Sequence, residues 1–135
     1  MGVGQNIETI NELYAAFGRG DVQAILDRVT DDVDWSTDAA IVSAPWYGER
    51  HGKAEVPSFF EGIAKTGPVT EFSLISIAGN DDGDVHAFIR YAFTVAATGK
   101  EVRMNLHHYW RFRDGKVSYV RASEDTALVA AALAQ

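Results

Sequence analysis

The chain has 135 residues, 47% of them hydrophobic, which suits one domain spanning residues 1–135 with a sizeable core. Twelve basic residues against nineteen acidic ones give a net charge of −7, which argues against a nucleic-acid or anionic-membrane surface built on clustered Lys and Arg. There is no cysteine, so disulfides, thiolate nucleophiles and cysteine-ligated metals are excluded.

The opening MGVGQNIETINE has no basic stretch followed by an apolar run, and no apolar run nears the ~20 residues of a membrane span. A soluble cytoplasmic protein is expected. Residues 6–18 read as an amphipathic helix, with Ile7, Ile10, Leu13, Tyr14 and Phe17 on one face and Gly18 and Gly20 ending it. Asp21 caps a second helix whose buried stripe is Val22, Ile25, Leu26 and Val29. Asp31-Asp32 turns into a strand, 33–37, with Val33, Trp35 and Thr37 on one face. Residues 38–52 read as a loop, in which Trp46 and Tyr47 either close the end of the core or form an aromatic lid over a pocket.

A third helix starts near Ala54 or Glu55, because Pro57 belongs in a first turn, and buries Val56, Phe59, Phe60 and Ile63. Thr66-Gly67-Pro68 stops it. Strands follow at 69–78 and 84–97, the second with Val85, Ala87, Ile89, Tyr91, Phe93 and Val95 on one face. Residues Arg103 to Asp125 form a hairpin around Arg113-Asp114-Gly115-Lys116, the Asp-Gly pair being a strong turn signal. Its first strand puts Met104, Leu106, His108, Trp110 and Phe112 on one face. Arg103, Asn105, His107, Tyr109, Arg111 and Arg113 take the other. In the second strand Ser118, Val120, Ala122 and Glu124 share a face opposite Val117, Tyr119, Arg121 and Ser123. Asp125 caps a short closing helix over 126–133.

Helices gathered ahead of an antiparallel meander imply an α+β fold with the helices on one face of the sheet. A long curved sheet wrapped round three helices makes a cone whose open end is a natural cavity for a small apolar molecule. No metal or cofactor is expected. His107 and His108 point opposite ways from one strand, and neither a Gly-rich phosphate loop after a strand nor a Gly-x-Ser-x-Gly elbow occurs.

The order of elements resembles the NTF2-like superfamily, and more narrowly its SnoaL-like, ketosteroid-isomerase-related members. The resemblance rests on Leu13-Tyr14-Ala15-Ala16-Phe17-Gly18-Arg19-Gly20-Asp21, Asp31-Asp32-Val33-Asp34-Trp35 and Trp46-Tyr47-Gly48-Glu49-Arg50-His51-Gly52. Further along it rests on Trp110-Arg111-Phe112-Arg113-Asp114-Gly115-Lys116-Val117 and Ser123-Glu124-Asp125-Thr126-Ala127. It implies a single SnoaL-like domain forming an NTF2-like cone, with three helices from the N-terminal half packed on a curved, mostly antiparallel sheet and a short C-terminal helix. The fold hosts isomerases, cyclases, hydrolases and non-catalytic modules alike. The steroid-isomerase triad is not matched. Its Tyr falls at Leu13, its base at Thr37 and its third carboxylate at His108, while Tyr14 and Asp38 each lie one residue off.

The resemblance turns Val120 and Ala122 toward the cavity, with Glu124 near its rim and His108 on the adjacent strand. His108 and Glu124 are thus the candidate acid/base pair. Leu13, Trp35, Thr37, Leu106 and Trp110 are expected to line the cavity, with Phe59, Phe60, Tyr91 and Phe93, and with Trp46 and Tyr47 from the loop. The bland alternative bonds His108 to Tyr91, Thr37 or a buried water, and leaves Glu124 pairing with Arg121 or capping the last helix. A cofactor-free acid/base enzyme, a non-catalytic binder of a small apolar ligand and a dimeric scaffold all stay open. The convex sheet face, with His86, Phe88, Arg90, Thr94, His107, Tyr109 and Tyr119, suits a homodimer interface.

Overall fold

A computed structural model describes residues 2–135. Helix α1 (Val3–Gly18) buries Ile10, Leu13 and Ala16, so the three- and four-residue spacing does select the core face. Helix α2 (Val22–Leu26) is short, and Asp21 caps it by accepting from the Ala24 amide at 3.1 Å. Val29 does not continue that helix. It opens strand β1 (Val29–Thr37), because the Arg28 carbonyl already accepts from the Val117 amide at 2.9 Å.

The expected loop 38–52 contains a short strand, β2 (Gly48–His51), paired antiparallel with β1. A 3-10 turn at Lys53–Glu55 leads into α3 (Val56–Thr66), with Pro57 in its first turn as its missing N–H requires. Strands β3 (Val69–Gly79), β4 (Val85–Thr94), β5 (Glu101–Arg113) and β6 (Lys116–Ser123) form the meander. The hairpin between β5 and β6 turns on Asp114 and Gly115, with φ of 52° and 80°, the left-handed pair of a two-residue turn. Helix α4 (Thr126–Leu133) ends the chain, with the Asp125 carboxylate accepting from the Leu128 amide at 3.0 Å. Thr98 and Lys100, on the turn after β4, donate to carbonyls at its C-terminal end. No helix among the described residues is long and apolar enough to cross a membrane.

Among the described residues, six strands lie in the order β2-β1-β6-β5-β4-β3, antiparallel except for the β1–β6 pair. This is an α+β fold. One cluster of buried side chains joins α1, α2, β1 and β6, and a second joins the inner faces of β4 and β5 to Trp46, Tyr47 and α4. A register shift between Arg111 and Phe112 corrects one strand reading. Val117 is fully buried with the core, whereas alternation had put it outside with Tyr119 and Arg121. The bulge supplies the extra residue that flips it.

Candidate functional site

The cone encloses a cavity of about 70 Å³, lined chiefly by aromatic rings. Trp35 stands edge-on to Phe59, Phe60 and Trp110, with ring centres 5.5, 5.8 and 5.8 Å away. Leu13, Thr37, Trp46, Tyr91, Leu106, Val120 and Ala122 complete the expected part of its wall. Two expected wall residues sit elsewhere. Tyr47 and Phe93 are buried behind Trp46, whose ring meets theirs edge-on at 5.5 Å each. Trp46 itself occupies the space they were expected to border. Trp46 and Tyr47, each only 4% exposed, pack into the end of the core, and Trp46 also forms part of the cavity wall.

At one end of the cavity the rigid elements α1 and β5 meet. Tyr14 Oη lies 2.8 Å from His108 Nδ1, and Trp110 Nε1 donates to the same hydroxyl at 3.1 Å. The indole donor takes one acceptor site on Tyr14, and the hydroxyl is free to donate to Nδ1 or to accept from it. Donation to Nδ1 would make His108 the neutral tautomer with its proton on Nε2. Burial agrees: it lowers the His108 pKa from its ordinary value to about 4, with the neighbouring His107 adding to the effect. Burial also holds the Tyr14 hydroxyl well above the usual phenol range. The partner of His108 is therefore neither Tyr91 nor Thr37.

At the other end stands Glu124. Trp46 Nε1 donates to one carboxylate oxygen at 3.2 Å and Tyr47 Oη to the other at 3.0 Å. Burial raises its pKa, and the two hydrogen bonds pull against that rise. The acid pushes the Tyr47 and Tyr91 hydroxyls upward in turn, after burial. Glu124 neither pairs with Arg121 nor caps α4. Arg121 goes to Asp34 at 3.1 Å, and Asp125 is the cap.

The loop that carries Trp46 and Tyr47 is held from beneath by Arg50, which is 9% exposed. Its guanidinium donates to the carbonyls of Pro45, Trp46 and Tyr47 and to the Ser58 hydroxyl. Gly62 lets α3 lie directly on the same loop, since a Cβ there would stand 2.9 Å from the Pro45 carbonyl.

His108 and Glu124 thus face one cavity without being bonded to each other. His108 is opposite Ala122 in register, and Glu124 lies two residues farther on, just past the end of β6. Sequence reasoning missed Tyr14, Phe17, Ile25, Ser36, Ile63 and Phe72 as wall residues. Tyr14 had a signal: it is the one phenol in the apolar stripe of α1. Adjacent helical residues lie only ~100° apart, so Leu13 and Tyr14 both reach a wide cavity. Asp38 is exposed beside Arg121 and stays outside.

Residues 10–120 match the SnoaL-like domain. The chain belongs to the SnoaL-like family. No curated protein matches it by sequence. Among solved structures, an NTF2-like protein from Burkholderia thailandensis is 26% identical with a TM-score of 0.86, over 96% of this chain and 98% of that one. An NTF2-like protein of unknown function from Burkholderia pseudomallei is 21% identical with a TM-score of 0.88, over 97% and 98%. A SnoaL-like polyketide cyclase candidate from Jannaschia is 17% identical with a TM-score of 0.82, over 96% and 92%. At these identities the last two speak for the SnoaL-like cone alone.

Proposed function

We propose that this SnoaL-like protein binds a small apolar carbonyl compound and moves a proton on the carbon beside the carbonyl without a cofactor. The observation that carries the reading is Glu124, a carboxylate desolvated in an aromatic cavity and facing the neutral His108 across it. A carboxylate whose pKa is raised is a stronger base toward a carbon acid. Glu124 takes the proton, with the indole of Trp46 and the hydroxyl of Tyr47 fixing its two oxygens. His108 Nε2–H donates to the carbonyl oxygen as it gains charge, while Tyr14 holds Nδ1 from behind. Isomerisation, ring closure and dehydration all pass through such a step.

Loss of deuterium from α-deuterated acetophenone, followed by NMR, tests this. The wild type is expected to speed exchange over buffer. Glu124→Gln should lower that acceleration at least ~100-fold, the usual share of a positioned base. Binding of the ketone with no acceleration would instead favour a non-catalytic ligand carrier. The small volume of the cavity, about 70 Å³ against several hundred in many ligand sites, favours instead the dimeric-scaffold reading, in which the cavity is largely filled by its own side chains.

A homodimer through the outer sheet face goes with either reading. His86 stacks on Tyr109 at 4.9 Å there, and Phe88 packs on His107 at the same spacing. Sedimentation at micromolar concentration should report a dimer, and a monomer would remove the idea.

A further inference from the structure

A surface groove of about 820 Å³ runs between the C-terminal ends of α1 and α3 and the start of β3. It shares Phe17, Ile25, Phe60, Ile63 and Phe72 with the inner cavity, so these five side chains are the partition between the two spaces. None of them carries a polar side-chain atom. The Phe17 ring stands 6.0 Å from Phe60 and 5.3 Å from Phe72, and ring rotation there breaks no hydrogen bond. The groove's charged side chains, Asp21, Lys65 and Glu71, are only three among its walls, which include Val22, Pro68 and Val69. The inner cavity has room for little more than a ligand's head.

We propose that the groove is a second binding subsite, which takes the apolar tail of the molecule whose carbonyl head sits between His108 and Glu124, with Phe17, Phe60 and Phe72 as the gate between them. The proposal rests on the reading of the inner cavity given above. It makes the substrate class an elongated one: a ketone with an alkyl or aryl extension rather than a compact ring. Specificity for length then lies with the groove, and reactivity with the cavity.

The test is a series of phenyl alkyl ketones from acetophenone to octanophenone, with affinity read by tryptophan fluorescence. In the wild type each added methylene should tighten binding about fourfold, the equivalent of ~0.8 kcal/mol, until the groove is filled. Gly18→Trp plugs the groove from α1, where an added Cβ meets nothing within 4 Å. Acetophenone should bind this variant as it binds the wild type, while the longer ketones lose their advantage. Ala64→Trp, from the exposed side of α3, should do the same and guards against a folding defect in the first variant. A flat series in the wild type, with acetophenone still bound, would overturn the groove subsite and leave the inner-cavity reading standing. So would a chain-length gain that survives both plugs. Failure of every ketone to bind would remove both.

Discussion

The two ends of the cavity hold their ionisable groups in different ways. His108 is fixed by Tyr14, whose hydroxyl is held in turn by Trp110, residues of a helix and a long strand. Glu124 is fixed by Trp46 and Tyr47, residues of an irregular loop that in turn depends on one buried arginine. Burial pushes both groups toward their neutral forms, from opposite directions. The histidine end gains its precision from regular secondary structure. The glutamate end depends on a clamp, and a single substitution can release it.

Releasing that clamp should give the largest effect. Arg50→Ala strands three carbonyls and empties the space under the loop, so a loss of about 4 kcal/mol is expected in urea denaturation. At the site the damage should be one-sided. Trp46 and Tyr47 fluorescence should change while the His108 imidazole signals keep their chemical shifts. Equal disturbance at both ends would mean the cavity is one rigid unit and the contrast is false.

The next effect concerns acid. His108 titrates near 4 in the fold and near ~6.5 once unfolded. Above the higher value both states hold it neutral and nothing is lost. As pH falls through the window, the unfolded chain takes up the proton first, so stability drops by roughly 3 kcal/mol by pH 4. Glu124 works the other way: its raised carboxyl favours the fold at low pH, and that contribution fades as pH rises. Stability curves from pH 4 to 7 should therefore be flatter, or reversed in slope, in His108→Gln than in the wild type. Parallel curves would show that His108 keeps an ordinary pKa, and with it the case for a neutral donor falls.

Much of this was legible beforehand because period and turn chemistry are local. The α1 stripe, the Asp21 and Asp125 caps, Pro57 in a first turn and the Asp114-Gly115 hairpin all follow from a few neighbouring residues. So does the inward face of β5, which put His108 among apolar residues. The misreadings come where local rules are overridden. The bulge at Ser118, opposite the Arg111–Phe112 step, flipped Val117, β1 claimed Val29, and β2 formed inside an expected loop because β1 offered it an edge.

The sequence by itself determined the SnoaL-like α+β cone and the candidacy of His108 and Glu124, because helical and strand periods decide which side chains face inward. Only the tertiary structure decided their partners. Tyr14 lies 94 residues from His108, and Trp46 lies 78 from Glu124. Contacts at such separations depend on how helix, loop and sheet pack, to a fraction of an ångström, and no pattern within one segment encodes that distance.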